Sequence, residues 1–192
     1  MPSTWIQRRK SPGTSCDAAR SPPDDRHDLV LAPLGLRFLG RTYPCAIGRG
    51  GLSPAKREGD GATPAGVLHI TGCLYRPDRL PRPAPWAMPI GPRDLWSDDP
   101  AAPDYNRPVR APYGASHETL RRPDPLYDLV LLTDWNAAAL PFAGSAIFLH
   151  RWRKPRHPTE GCIALARAHL HRIARHAAPG TRLIVPLLAS SL

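Results

Sequence analysis

Gly144–Leu165 reads GSAIFLHRWRKPRHPTEGCIAL, and the fold turns on how this stretch is understood. Its apolar, branched and aromatic opening predicts a strand over Gly144–His150. A basic loop broken by prolines follows, and Gly161-Cys162 opens a second apolar run. Cys162 lies twelve positions beyond His150. The thiolate is the nucleophilic form of cysteine. A free thiol with pKa about 8.5 is mostly protonated at neutral pH, so a reactive Cys needs an imidazole or another cation beside it. His150 is the candidate base. Gly161 allows a tight turn that presents backbone N–H groups where an oxyanion would form. The residues alone leave a second reading open, with Cys162 a small buried hydrophobe and His150 a satisfied histidine at a strand end.

Working outward, Leu126–Trp135 (LYDLVLLTDW) is the other strong strand, stopped by Asn136, and the two are expected to pair centrally. Beyond Cys162, Leu165, Leu170, Ile173 and Ala174 recur near helical spacing until Pro179-Gly180. That spacing predicts one amphipathic helix after the candidate nucleophile. On its polar face, His169 and His171 sit two apart and diverge, so no metal site is expected. Thr181–Leu188 reads as a closing strand, with Pro186 at its edge or end. Upstream, Pro33, Gly35, Gly40 and Pro44 divide Asp28–Ile47 into two or three brief strands. Gly48–Gly66 is a glycine-rich loop that lacks a Gly-Lys-Ser/Thr triplet and leads into the strand-like VLHIT, which excludes nucleotide binding. Thr63-Pro64 is expected to stiffen its exit, and Asp60 or Glu58 to tie down backbone groups.

Pro77–Pro125 holds 12 of the 25 prolines, with Trp86, Trp96, Tyr105 and Tyr113 spaced through it. Long unpatterned stretches tend to be functional covers or linkers, and the aromatics favour a packed cover over one edge of the site. A short helix is expected at Ser116–Arg121, capped by Ser116 and ended by Pro123.

With 192 residues and 42% hydrophobic content, the chain supports one domain with a real core. Its 25 prolines and 15 glycines point to a loop-rich, mainly β fold. Residues 1–28 read as a disordered tail or an upstream extension, leaving 29–192 as the domain. The cysteines, at 16, 45, 73 and 162, match no zinc box and no CxxC pair. Cys45 and Cys73 are expected in core strands as free thiols, with a disulfide between them as the alternative. No run approaches the about eighteen apolar residues of a membrane span, and the opening segment lacks the apolar region of an export signal. The net charge of +10 suits an anionic partner. The basic residues are scattered among prolines, without a DNA-reading motif or an RNP-like aromatic strand, so nucleic acid is not expected. Arg151, Arg153, Lys154 and Arg156 lie between His150 and Cys162. They are placed to pair with substrate carboxylates, to hold a thiolate, or simply to form a solvated basic loop.

Two blocks carry a family resemblance. Thr159-Glu160-Gly161-Cys162, preceded by a strand-end His150, is similar to the Ser/Thr-His-Gly-Cys box of the L,D-transpeptidase (YkuD) catalytic domain. Lys56–Gly66 resembles the K-x-E-G-D-G-x-T-P-x-G run upstream in many members. The likeness runs from Leu29 to Leu188, and Gly48 and the turn Pro179-Gly180-Thr181 also fit. It implies a mainly β, sandwich-like domain with one helix after Cys162 and a long Pro-rich loop insertion. Cys162, deprotonated by His150, would attack a diaminopimelate-type carbonyl in a peptidoglycan tetrapeptide stem. D-Ala would leave, and the thioester would pass to the amine of a neighbouring stem. Backbone N–H groups near Gly161 and Cys162 would hold the oxyanion. The resemblance further implies no cofactor, peptidoglycan stem peptides as partners, and substrate contacts at Glu160, Arg151 and Trp152. It also implies a place in the periplasm or cell envelope and sensitivity to carbapenem-type β-lactams; a monomer is expected. Water or a free D-amino acid as acceptor would make the same site an L,D-carboxypeptidase or an exchange enzyme. Loss of turnover would leave a noncatalytic peptidoglycan-binding module. A papain-like peptidase is disfavoured, because Cys precedes His in that fold.

Two positions depart from the family pattern. Glu160 stands where members usually carry His, and Ala164 where they often carry Asn or Arg. Glu160 has three candidate roles: orienting His150, binding a substrate amine, or pairing with Arg153, Lys154 or Arg156. The short interval between His150 and Cys162 suggests a trimmed loop over the site.

Overall fold

A computed structural model describes residues 25–187. Most of the expected tail, Cys16 and Leu188 lie outside the described residues. Asp25–His27 forms one 3-10 turn, and Asp28 is buried with its carboxylate paired to Arg182. Four short strands open it, one more than expected: β1 (Leu29–Ala32), β2 (Gly35–Phe38), β3 (Arg41–Tyr43) and β4 (Cys45–Ala46). The glycine-rich loop carries two short strands, β5 (Leu52–Ser53) and β6 (Thr63–Pro64), and leads into the long β7 (Gly66–Tyr75). The Pro-rich insertion contains β8 (Met88–Pro89), β9 (Asp94–Ser97), β10 (Pro108–Arg110) and β11 (His117–Thr119). The chain then forms β12 (Leu129–Thr133), β13 (Phe148–Arg151), β14 (Ile163–Leu165), the helix α1 (Arg167–His176) and β15 (Arg182–Val185).

The main sheet runs β3-β2-β1-β15-β7-β12-β13-β14-β4. Its two ends, β3 and β4, are consecutive in the chain and joined through Pro44, so the sheet must curl back toward itself. β7 makes this possible by serving both halves: Gly66–His69 pairs with β15, and Ile70–Tyr75 with β12. At the junction the register slips, with Leu132 opposite Gly72 but Thr133 opposite Ile70. The extra residue in β7 moves its inward side chains from Leu68 and Ile70 to Cys73, as a bulge does. The result is a mainly β sandwich with one helix, α1, following Cys162. Cys45 lies in β4 and Cys73 in β7, both as free thiols.

β12 explains why its sequence is apolar without alternation. Leu129 and Leu131 face a first core shared with Leu149, Ile163, Leu183 and the buried face of α1. Val130 and Leu132 face a second core, with Phe148, Leu74, Tyr127, Ile90 and Leu120. A strand covered on both faces has no polar positions. As expected, β12 and β13 pair antiparallel near the middle of the sheet.

The second core exists because the insertion covers that face, and the insertion is more regular than its prolines suggest. β9 is the centre of a three-stranded sheet, β10-β9-β11. The helix expected at Ser116–Arg121 is not formed: His117–Thr119 is β11, with Glu118 opposite Trp96. A helix of six residues is marginal in water, and the ladder with β9 gives the same backbone groups partners. Two other boundaries differ. The run after Cys162 begins as β14, parallel to β13, so Leu165 is a strand residue. Gly144 and Ala146 have φ of +89° and +50°, outside extended geometry, so β13 starts only at Phe148.

Candidate active site

β13 and β14 lie side by side, with His150 opposite Ala164. Side chains alternate along β13, which puts Phe148 and His150 on the face of the second core and Leu149 and Arg151 on the other. His150 is 5% exposed and stacks edge-on to Tyr127, with centroids 5.3 Å apart. Arg151 lines a small depression beside Leu170 and His171 of α1. Strand periodicity therefore takes Arg151 to the face away from His150.

Cys162 precedes β14 and packs against the second core. Its thiol donates to the Ala146 carbonyl at 3.1 Å, and its sulfur accepts the Phe148 N–H at 3.4 Å. Gly161 has φ +139°, and an added Cβ would lie 2.8 Å from the Ala62 oxygen, so only glycine fits the turn. The Thr159 hydroxyl donates to the Cys162 carbonyl at 2.6 Å and accepts the Gly161 N–H at 3.2 Å. Thr63 bridges the same turn to the glycine-rich loop, donating to the Gly161 carbonyl at 2.8 Å and accepting the Gly48 N–H at 2.9 Å. Asp60 ties the loop down as expected, accepting the N–H groups of Arg57 and Ala62. Glu58 instead accepts the Tyr105 hydroxyl of the insertion.

The electrostatics favour neutral partners at rest. Burial lowers the His150 pKa to about 4, against a smaller opposing effect of its hydrogen bond to the Arg151 carbonyl. That bond, 2.7 Å from Nδ1, places the proton on Nδ1 and leaves Nε2 as the basic nitrogen. Burial pushes the Cys162 thiol up to about 12; the Phe148 N–H and Lys56 pull it down, and Glu118 adds to the rise. Lys56 is buried, its ammonium bonded to Asp60 and to the Arg57 carbonyl. Burial raises the Glu118 carboxyl, and neighbouring Asp98 raises it further.

His150 and Cys162 open onto one cleft of about 430 Å³. Glu160 and Trp152 line it too, with Glu58, Thr159 and the insertion's Asp98, Glu118 and Arg122. The insertion thus forms one wall of the cleft, as expected for a cover. Glu160 pairs with Arg49 rather than with Arg153, Lys154 or Arg156, and both partners are mostly exposed. His150 is oriented by its own strand, not by Glu160. Gly161 shapes the turn that carries Cys162 to the cleft, and Arg151 lines the depression beside α1 instead. Among the described residues, no group of three or more His, Cys, Asp or Glu is placed to hold a metal ion. Thr63, Thr159, Lys56, Glu118 and Asp98 were not singled out as site residues from sequence. The two threonines and Lys56 lie inside the quoted motifs, whereas nothing local marks the two acids.

The sequence profile of the YkuD L,D-transpeptidase catalytic domain matches residues 37–185, which takes in both motif blocks, the cleft and every strand from β3 to β15. The chain belongs to this family. No curated protein and no solved structure matches it significantly. As an L,D-transpeptidase-family domain it shares a family that acts on peptidoglycan and is typically extracytoplasmic. No helix among the described residues is long and apolar enough to cross a membrane.

Proposed function

We propose that this domain is a peptidoglycan L,D-transpeptidase with Cys162 as nucleophile and His150 as general base. The observation that supports this reading is the opening of the Cys162 sulfur and the buried His150 imidazole onto one cleft, within a chain of the transpeptidase family. Because both groups are neutral at rest, the thiol gives up its proton as it attacks rather than before. The Cys162 sulfur bonds to the diaminopimelate-type carbonyl carbon, and Nε2 of His150 takes the thiol proton. N–H groups at the Gly161–Cys162 turn receive the developing oxyanion. In the resting site the Gly161 N–H makes only a 3.2 Å bond to Thr159, weak enough to yield to an anion. The C–N bond to D-Ala then breaks, His150 returns the proton to the leaving amine, and a thioester remains. In the second half the acceptor amine attacks the thioester, C–N forms as C–S breaks, and the amine proton passes through His150 back to sulfur. No cofactor enters either half. Glu160, on the lining of the cleft, would draw in the acceptor as its ammonium, which gives one proton to solvent before the neutral amine attacks, and Trp152 would line its path. The work is assigned to the cell envelope, where the substrate is.

The test is product analysis with defined disaccharide tetrapeptides. Cross-linked dimers with loss of D-Ala, absent for Cys162→Ala, are the expected result. Monomeric tripeptide alone would assign hydrolysis to the same site, and products unaffected by Cys162→Ala would overturn the nucleophile.

A further inference from the structure

Asn106 sits in the insertion, between β9 and β10, and every hydrogen-bonding position of its amide is filled. Oδ1 accepts the Trp96 indole N–H and the Ala146 N–H, both at 3.0 Å. Nδ2 donates to the carbonyls of Trp135 and Asn136, again at 3.0 Å. The residue is 7% exposed, and its φ of +54° is one that Asn tolerates better than most side chains. Its own N–H donates to Ser97 of β9. One amide therefore joins the insertion's sheet, the end of the β12 segment and Ala146.

Ala146 has φ +50°, which an alanine does not adopt without support. Its N–H is held by Asn106, and its carbonyl accepts the Cys162 thiol at 3.1 Å. The two sides of this strained residue thus face Asn106 and the sulfur.

We propose that Asn106 is a positioning residue for Cys162: it holds Ala146 in the left-handed conformation, so that the Ala146 carbonyl faces the sulfur and fixes the direction in which the thiol meets the cleft. The proposal rests on Cys162 being the nucleophile. An acceptor on the S–H favours thiol over thiolate, so freeing that carbonyl makes the thiolate easier to form while letting the sulfur wander. The other titratable groups around the sulfur are Glu118 of β11, Lys56 of the glycine-rich loop and Tyr127, with His150 on the same cleft, and the Asn106 amide bonds to none of them.

Asn106→Gly removes the amide and keeps a backbone suited to positive φ. The readout is the pH dependence of iodoacetamide labelling at Cys162, followed by peptide mass spectrometry, with kcat and KM on the tetrapeptide donor. Cys73, fully buried, reports folding in the same sample. The expected result is a Cys162 midpoint lower by about one pH unit, kcat down roughly tenfold, KM nearly unchanged and Cys73 unlabelled. An unchanged midpoint with intact kcat, or Cys73 labelled in step with Cys162, overturns the proposal. If Asn106→Gly does not fold, Trp96→Phe carries the test, since it removes one donor to Oδ1 and leaves Asn106 present. A smaller shift in the same direction supports positioning, and no shift overturns it. Unchanged labelling beside turnover that still requires Cys162 overturns positioning alone, whereas turnover by Cys162→Ala overturns the nucleophile itself.

Discussion

The two cores of this domain differ in how they are made. The first is closed mainly by strand alternation and one amphipathic helix, with only Leu80, Trp86 and Ala87 added from the insertion. The second is closed by the Pro-rich insertion, which joins the main sheet through the short β8 alongside β7 and otherwise meets it through side chains such as Trp96, edge-on to Phe148. Cys162 and His150 lie on the second side. Their backbone positions come from the main sheet, while the insertion's Asp98, Glu118 and Arg122 wall the cleft onto which they open. In this protein the main sheet places the two side chains and the insertion shapes the cleft in front of them.

That contrast can be broken at several points. The largest effect is expected from Cys162→Ala, which should lower turnover by roughly a thousandfold or more while leaving the chain folded, as steady-state assays and thermal melts would show. Next is His150→Gln, with kcat down roughly a hundredfold or more. Its strand neighbour Arg151→Ala should leave kcat and KM nearly unchanged, because it faces α1; a loss equal to that of His150→Gln would mean the alternation does not separate them.

Stability tests sharpen the same division. Gly161→Ala forces a Cβ against the Ala62 oxygen at a φ of +139° and should cost about 3 kcal/mol in chemical denaturation. Gly180→Ala, at φ +90° with open space around it, should cost about 1 kcal/mol. Acid should act through His150. Its folded pKa of about 4 lies below the ordinary 6.5, so its contribution is complete above pH 6.5 and lost as pH falls through 4. The loss amounts to about 3 kcal/mol, and in His150→Gln the urea midpoint should fall less between pH 7 and pH 4. The smallest effect is at Glu160. Its exposed pair with Arg49 should contribute less than about 1 kcal/mol, so Glu160→Ala should leave stability nearly intact. A raised KM for the acceptor stem would support its amine contact, and an unchanged KM would remove it.

Sequence patterns carried the first core well. Apolar, branched runs bounded by turn residues identify β12, β13 and β15, helical spacing identifies α1, and the two motif blocks bring Cys162, His150 and the glycine-rich loop into one family. What they missed depends on contacts distant in sequence. β11 reads as a capped helix until β9 lies beside it. Asn106 resembles an ordinary turn residue, though its amide reaches Ala146, forty positions away. Arg151 follows His150 directly, and the family resemblance implies a substrate contact for it, yet strand alternation separates the two. Glu160 found Arg49 because the Gly48–Thr159 bridge brings those segments together, a pairing no local pattern encodes.

The most direct test of the central claim is the intact mass of the protein after brief mixing with a disaccharide tetrapeptide and an acid quench. The predicted result is an adduct equal to the donor minus D-Ala, mapped to the Cys162 peptide and released by hydroxylamine, as a thioester would be. Turnover of the donor with no adduct at Cys162, or with an adduct on another residue, would contradict the account.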